Sequence, residues 1–262
     1  MNSRIDYDFS HLKAFCMFIG YPRSGHSLVG SIIDAHPNAC ISHEMDALAT
    51  YKKFASATDF FREIQDLSAT QAQNGRISYG YSYQFDTLSA GKTEVLQLIG
   101  DKKGSGTTQQ LIKDIDALKA FTAFVQLPLK IIHVTRNPFD IITTKAGYKD
   151  LKNVPITTAG IAESTAVISA EARMNQQLID TGLYDIYSFS HEALVENPAG
   201  TLLPLFNFLD LEINTSFIEQ ISKNLFGQVH QSRKKHAWST AEIQLVNDSI
   251  IQLPIFSNYS YE

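Results

Sequence analysis

The chain has 262 residues, 44% of them hydrophobic and only 19% charged, which supplies a real core and excludes a disordered or supercharged protein. Twenty-seven Asp and Glu against 22 Lys and Arg give a formal net charge of -5, so no nucleic-acid partner is expected and any polyanion must meet a local basic site. Cys16 and Cys40 form no metal-ligand pair, Met1 to Lys13 carries no signal-like apolar run, and nothing approaches the ~18 apolar residues of a membrane span; the expectation is a cytoplasmic protein without one.

Ala14 to Ile19 is a short apolar burst ending at Gly20 and predicts a buried strand. After the segment YPRSGHS, the spacing of Leu28, Val29, Ile32 and Ile33 predicts a helix that His36-Pro37-Asn38 stops. Ala39 to Ser42 predicts a second strand, leading to His43, Glu44 and a helix from Asp46. Ile77, Tyr79, Tyr81, Tyr83 and Phe85 alternate as in a half-buried strand or hairpin; the tyrosines suit packing there or the wall of an acceptor pocket. Val95 to Ile99 predicts a strand followed by a turn at Gly100-Asp101-Lys102-Lys103-Gly104, then a helix capped by Thr107 or Thr108 and running towards Phe121. Lys130 to Thr135 is the clearest strand; helices follow from Asp140 and over Ile161 to Ile179, then a strand at Asp185 to Phe189 and a mostly helical tail. Strands alternating with helices, with no repeat or linker, predict one α/β domain over residues 1–262: a P-loop-like three-layer fold, its central parallel sheet covered by helices on both faces.

Gly20 to Ser27 reads G-x-x-x-x-G-x-S, the phosphate-loop spacing, between a strand and a helix. Backbone N–H groups of such a loop and the positive end of the helix converge on phosphate oxygens. His26 stands where nucleotide triphosphatases place the lysine that reaches the outer phosphates, and the strand KIIHVT ends in arginine rather than a magnesium-holding aspartate. A nucleotide with different chemistry at its 5′ end is implied. Arg136-Asn137-Pro138-Phe139-Asp140 opens the next helix with a guanidinium fork suited to a phosphate, and Thr144 lies one turn beyond Asp140.

These two motifs resemble those of the sulfotransferases that use 3′-phosphoadenosine 5′-phosphosulfate (PAPS). Pro22-Arg23-Ser24-Gly25-His26-Ser27 is similar to that family's 5′-phosphosulfate loop, with His26 replacing a threonine. Arg136 through Thr144 is similar to its 3′-phosphate signature, with threonine for the final serine. The stretch from Pro22 to Pro37 looks most like the tyrosylprotein sulfotransferase branch and related bacterial enzymes. That resemblance implies a catalytic glutamate at Glu44, a catalytic lysine at Lys102, and a nucleotide-side segment at His191 to Pro198, where His191 replaces a tyrosine.

Sulfuryl transfer needs a base for the acceptor proton, cations for the leaving phosphate, and exclusion of water. Glu44 is the expected base and His43 its rival; Arg23 and Lys102 are expected to hold the 5′-phosphate and sulfuryl oxygens, with Lys103 as the alternative to Lys102. Arg23, Ser24, Gly25, His26 and Ser27 form the expected 5′ site, and Arg136, Thr144, Arg233 and Lys234 the 3′ site, the last two from a basic run late in the chain that is either a solvated face or, as the resemblance implies, a loop closing over the 3′-phosphate. No metal is expected. A phosphate-loop kinase or hydrolase and a catalytically silent nucleotide-binding protein are the competing readings, and the acceptor stays open among hydroxyl and amine compounds.

Overall fold

The computed structural model describes residues 8–78, 81–83, 85, 95–149, 152–225 and 227–262. Its strands are β1 (Ala14–Gly20), β2 (Ala39–His43), β3 (Ile77–Ser78), β4 (Tyr81–Ser82), β5 (Leu98–Gly104), β6 (Leu129–Thr135), β7 (Tyr148–Lys149), β8 (Lys152–Asn153) and β9 (Asp185–Ser190). The helices are α1 (His26–Asp34), α2 (Ala47–Thr50), α3 (Ala57–Gln73), α4 (Ser105–Lys113), α5 (Ala117–Val125) and α6 (Pro138–Ala146). They continue with α7 (Thr158–Asp180), α8 (His191–Glu196), α9 (Pro198–Phe208), α10 (Thr215–Asn224) and α11 (Thr240–Val246). Five strands form one parallel sheet in the order β2-β5-β1-β6-β9.

The period-two geometry of β1 divides the core. Ala14, Cys16 and Phe18 pack with α1, α9 and α10, whereas Phe15, Met17 and Ile19 pack with α3, α4 and α5. Every residue of β1 is buried, as a central parallel strand covered on both faces requires. A third apolar cluster joins Tyr21, α6, α7 and the segment around Phe256. The three-layer α/β architecture is therefore the one the alternation of elements predicts.

Four local differences matter for the site. The strand expected at Val95–Ile99 is shifted forward, so Asp101, Lys102 and Lys103 lie in β5 rather than in a turn. The helix expected to run on to Phe121 is broken into α4 and α5, and Thr108 sits inside α4, taking the Gly20 N–H (3.0 Å) and donating to Asn175 Oδ1 (2.9 Å) instead of capping. Among the described residues of 77–85, Ile77–Ser78 pairs antiparallel with Tyr81–Ser82 and Ile77 is 70% exposed; Tyr79 lies outside the described residues. The basic run forms a single 3-10 turn, Ser232–Lys235. No helix among the described residues is long and apolar enough to cross a membrane.

Candidate active site

All the motifs meet at the carboxyl edge of the sheet. From β1 the chain goes to β2 at one edge, returns to place β5 between β2 and β1, then crosses to β6 and β9 on the other side. The loop after β1 and the arginine after β6 therefore flank the point where the strand order reverses, the crevice in which open α/β sheets bind ligands.

The loop is shaped for an anion. Gly25 has φ 96° and opens α1; no side chain caps that helix and its first turn holds no acidic residue. Its positive end is thus left for a ligand. Ser24 Oγ meets the Tyr21 carbonyl (3.1 Å) and His26 Nδ1 (2.8 Å), tying the loop to itself. His26 turns inward: a Cβ on Gly104 would stand 2.4 Å from its ring, and burial, with the Lys102 charge behind it, takes its pKa down to about 3. It remains neutral and packs beneath the loop.

The cation that His26 cannot supply comes from β5. Lys102 is fully buried, and its Nζ donates to Ser27 Oγ (3.1 Å), His43 Nε2 (3.1 Å) and Glu44 Oε1 (2.5 Å). A Cβ on Gly30 would come within 2.9 Å of this side chain, so a glycine in α1 opens its path. Lys103 Nζ lies 2.8 Å from Glu44 Oε2. Adjacent strand residues ordinarily point to opposite faces. Here too the stems diverge, Lys102 lying against Gly30 of α1 and Lys103 against Gly106 of α4, and the two long side chains converge on Glu44 from either side of the strand. Both candidate lysines, Lys102 and Lys103, therefore contact Glu44.

Burial alone would raise the Glu44 pKa, but Lys102 and Lys103 outweigh it and hold the carboxyl at about 2. Burial lowers the Lys102 pKa against the pull of Glu44, whereas for Lys103 the Glu44 contact overcomes burial and shifts it up. His43 is taken down to about 4 by burial and then by Lys102, which also occupies its Nε2.

On the other side of β1, Arg136 is buried, with Nη1 donating to the Arg23 carbonyl (3.0 Å) and Nη2 to the His230 carbonyl (2.6 Å). Its Nε is buried without a hydrogen-bond partner. His191, at the start of α8, leaves Nδ1 in the same condition, and a Cβ on Gly25 would lie 2.5 Å from that nitrogen. Burial and then Arg136 lower the His191 pKa to about 4. Two orphaned polar nitrogens beside an uncapped helix end are what an anionic nucleotide group would satisfy, so the residues present fit such a donor. The sequence offers His191 only as the replacement of a tyrosine; its place directly after β9 is the signal that points to it.

The remaining expected residues are engaged in other ways. The Arg23 guanidinium stacks 4.6 Å from the Tyr148 ring centre. The Thr144 hydroxyl donates to the Asp140 carbonyl (2.8 Å). Arg233 is latched to Asp140 through its backbone N (2.7 Å) and Nη1 (2.8 Å), and to the Tyr261 and Glu262 carbonyls through Nε (2.8 Å) and Nη2 (3.4 Å). Lys234 is exposed on the rim of a cavity of about 320 Å³ that it shares with Arg233 and Glu262. The structure therefore brings Ser27, His43, Glu44, Lys102 and Lys103 into one cluster and joins Arg136 to the loop. It leaves Arg233 bonded within the protein. Among the described residues, no three His, Cys, Asp or Glu side chains converge as metal ligands.

Comparison with known proteins gives the family and the fold. The sulfotransferase family profile matches residues 17–215, and the chain belongs to that family. A search of curated proteins returns no significant match. Among solved structures, the chain is similar to the sulfotransferase domain of the Synechococcus PCC 7002 olefin synthase, with TM-score 0.51, 14% identity, and coverage of 93% of this chain and 98% of that one. It is also similar to the sulfotransferase domain from the curacin biosynthetic pathway, with TM-score 0.50, 16% identity and coverage of 94% and 93%. Sulfotransferase STF9 from Mycobacterium avium gives TM-score 0.53 at 9% identity, covering 90% of this chain and 76% of that one. At these identities the likeness is one of fold.

Proposed function

We propose that this member of the sulfotransferase family is a single-domain, PAPS-dependent enzyme that moves a sulfuryl group to an acceptor hydroxyl or amine, with Glu44 as the base. The observation that carries the reading is the Lys102–Lys103–Glu44 clamp beside Ser27 of an uncapped phosphate loop. PAPS would supply an activated sulfuryl group on a phosphate leaving group. The loop from Arg23 to Ser27 would hold its 5′ end, and Arg136 and His191 would present their unpartnered nitrogens to the nucleotide.

Glu44 is ionised and its side chain is 36% exposed, so it can meet an acceptor arriving from solvent. A carboxylate gripped by two lysines is a weak base. When the lysines turn to the sulfuryl oxygens, Glu44 loses its counter-charges and gains basicity as the acceptor proton must leave. The lysines then neutralise charge on the departing phosphate. His43 fits the base role less well, because Lys102 occupies its Nε2 and burial weakens it. The kinase reading is not favoured, since His26 packs against Gly104 beneath the loop. Both cysteines are free and buried, in keeping with the reduced, cytoplasmic setting we propose.

The test is transfer of label from PAPS across a library of phenols, carbohydrates, peptides and amines, together with thermal-shift measurements. Adenosine 3′,5′-bisphosphate should raise Tm and ATP with magnesium should not. A preference for magnesium ATP, or a complete lack of transfer with nucleotide bound, would remove the enzyme reading.

A further inference from the structure

The segment that carries Glu44 has an unusual backbone. Glu44 (φ 68°) and Asp46 (φ 62°) both adopt the left-handed region, unfavourable for residues with a Cβ, and such conformations persist only where neighbours over-determine them. The neighbours are identifiable. Asp101 of β5, 1% exposed, accepts from Ser42 Oγ (2.8 Å) and the Met45 N–H (3.0 Å) on Oδ1 and from the Ala47 N–H (3.0 Å) on Oδ2. Gln71 of α3 holds the other end, accepting from the His43 N–H (2.9 Å) and donating to the His43 carbonyl (2.7 Å). Between them the Glu44 N–H donates to the Lys102 carbonyl (2.9 Å).

From this arrangement we infer that Asp101 is a positioning residue for catalysis: its carboxylate fixes the left-handed loop that delivers Glu44 to the two lysines. The inference rests on the reading of Glu44 as base. Its logic is that of the strand. Asp101 and Lys102 are consecutive in β5, so one side chain turns towards α2 and the other towards α1. A single strand thereby supplies both the anchor of the Glu44 loop and the cation that Glu44 meets, and the register between them is set by covalent geometry. Three donors converge on Asp101, so an acceptor-only group is needed on both oxygens. An amide at that place would turn an NH₂ towards one of the two backbone N–H groups and release one end of the loop.

The experiment compares the intact protein with Asp101→Asn and Asp101→Ser. Turnover should fall about 10- to 100-fold, the effect of misplacing a catalytic group by roughly an ångström. Affinity for adenosine 3′,5′-bisphosphate should stay within about twofold, because Asp101 touches neither the loop nor Arg136. A second readout is independent of activity: a ¹³C titration of the Glu44 carboxyl. The titratable groups facing Glu44 are Lys102, Lys103, His43 and His26, none of them altered, so release of the loop should carry its pKa up from about 2 towards the ordinary carboxylate range. Wild-type turnover and an unmoved Glu44 titration in a folded variant overturn the inference. So does an equal loss of turnover and nucleotide affinity, or failure of both variants to fold, since Asp101 would then serve the core as a whole. A wild-type protein that transfers no sulfuryl group is a failure of the proposed function instead, and the Glu44 titration still decides the positioning role.

Discussion

Arg136 permits a test in which protein and ligand are each altered at one place. Two of its donors are already used, by the Arg23 carbonyl at 3.0 Å and the His230 carbonyl at 2.6 Å, while Nε is buried and unpartnered. A charge-assisted hydrogen bond from that nitrogen to a phosphate contributes about 1.5–3 kcal/mol. Wild-type protein should therefore bind adenosine 3′,5′-bisphosphate about one to two decades more tightly than adenosine 5′-monophosphate. Arg136→Gln should erase most of that preference. The substitution also frees the two carbonyls that Arg136 holds, which loosens the loop for either nucleotide; that cost cancels when the four affinities are combined in a cycle. Isothermal titration calorimetry at one fixed ionic strength supplies all four values, salt being held constant because phosphate contacts are screened. Equal binding of the two nucleotides by wild type, or a coupling below about 0.5 kcal/mol, refutes recognition of the 3′-phosphate by Arg136.

Three other outcomes are expected. Glu44→Gln should lower turnover by about 10²–10⁴ with bisphosphate affinity within a few-fold of wild type; near-normal turnover alongside an inactive His43→Asn would hand the role to His43. Glu171 is wholly buried and burial lifts its pKa from 4.5 to about 7, so the folded chain keeps a proton that the unfolded chain releases, and stability falls as pH rises through that window. The full loss is roughly 3 kcal/mol. Glu171→Gln, which can still accept from Ser105 and Gln109, should flatten the dependence of Tm on pH between about 5 and 8, and an unchanged slope would contradict the assignment. Gly25→Ala places a methyl 2.5 Å from His191 Nδ1 at a φ of 96°, so nucleotide affinity should drop at least tenfold by calorimetry, with a stability cost of about 1–3 kcal/mol. Wild-type affinity in this variant would show that the loop has room the structure denies.

The sheet and the phosphate loop were legible because both depend on local order. Apolar runs such as Ala14–Ile19 and Lys130–Thr135 specify buried strands wherever they pair. The spacing from Gly20 to Ser27 dictates a strand-to-helix turn with its N–H groups exposed, whatever lies around it. The same holds for Arg136-Asn137-Pro138, where proline at the first helical position and the Asn137 cap set where α6 begins.

What the tertiary structure decided are the relations between segments far apart in the chain. Read as a sequence, GDKKG is a glycine-flanked turn; paired with β1 and β2 it is a buried strand whose two consecutive lysines leave opposite faces and meet at one carboxylate. The sequence places His26 in the phosphate loop, and only the fold shows that its ring lies against Gly104 of β5. Arg233 sat in a charged run that no local pattern distinguishes from a solvated face, and its partner Asp140 lies 93 residues earlier. Local sequence determines the dihedral preferences that make strands, turns and helix ends. Which side chains share a site depends on strand register and bulges, which are settled only when the whole sheet closes its hydrogen bonds and buries both faces.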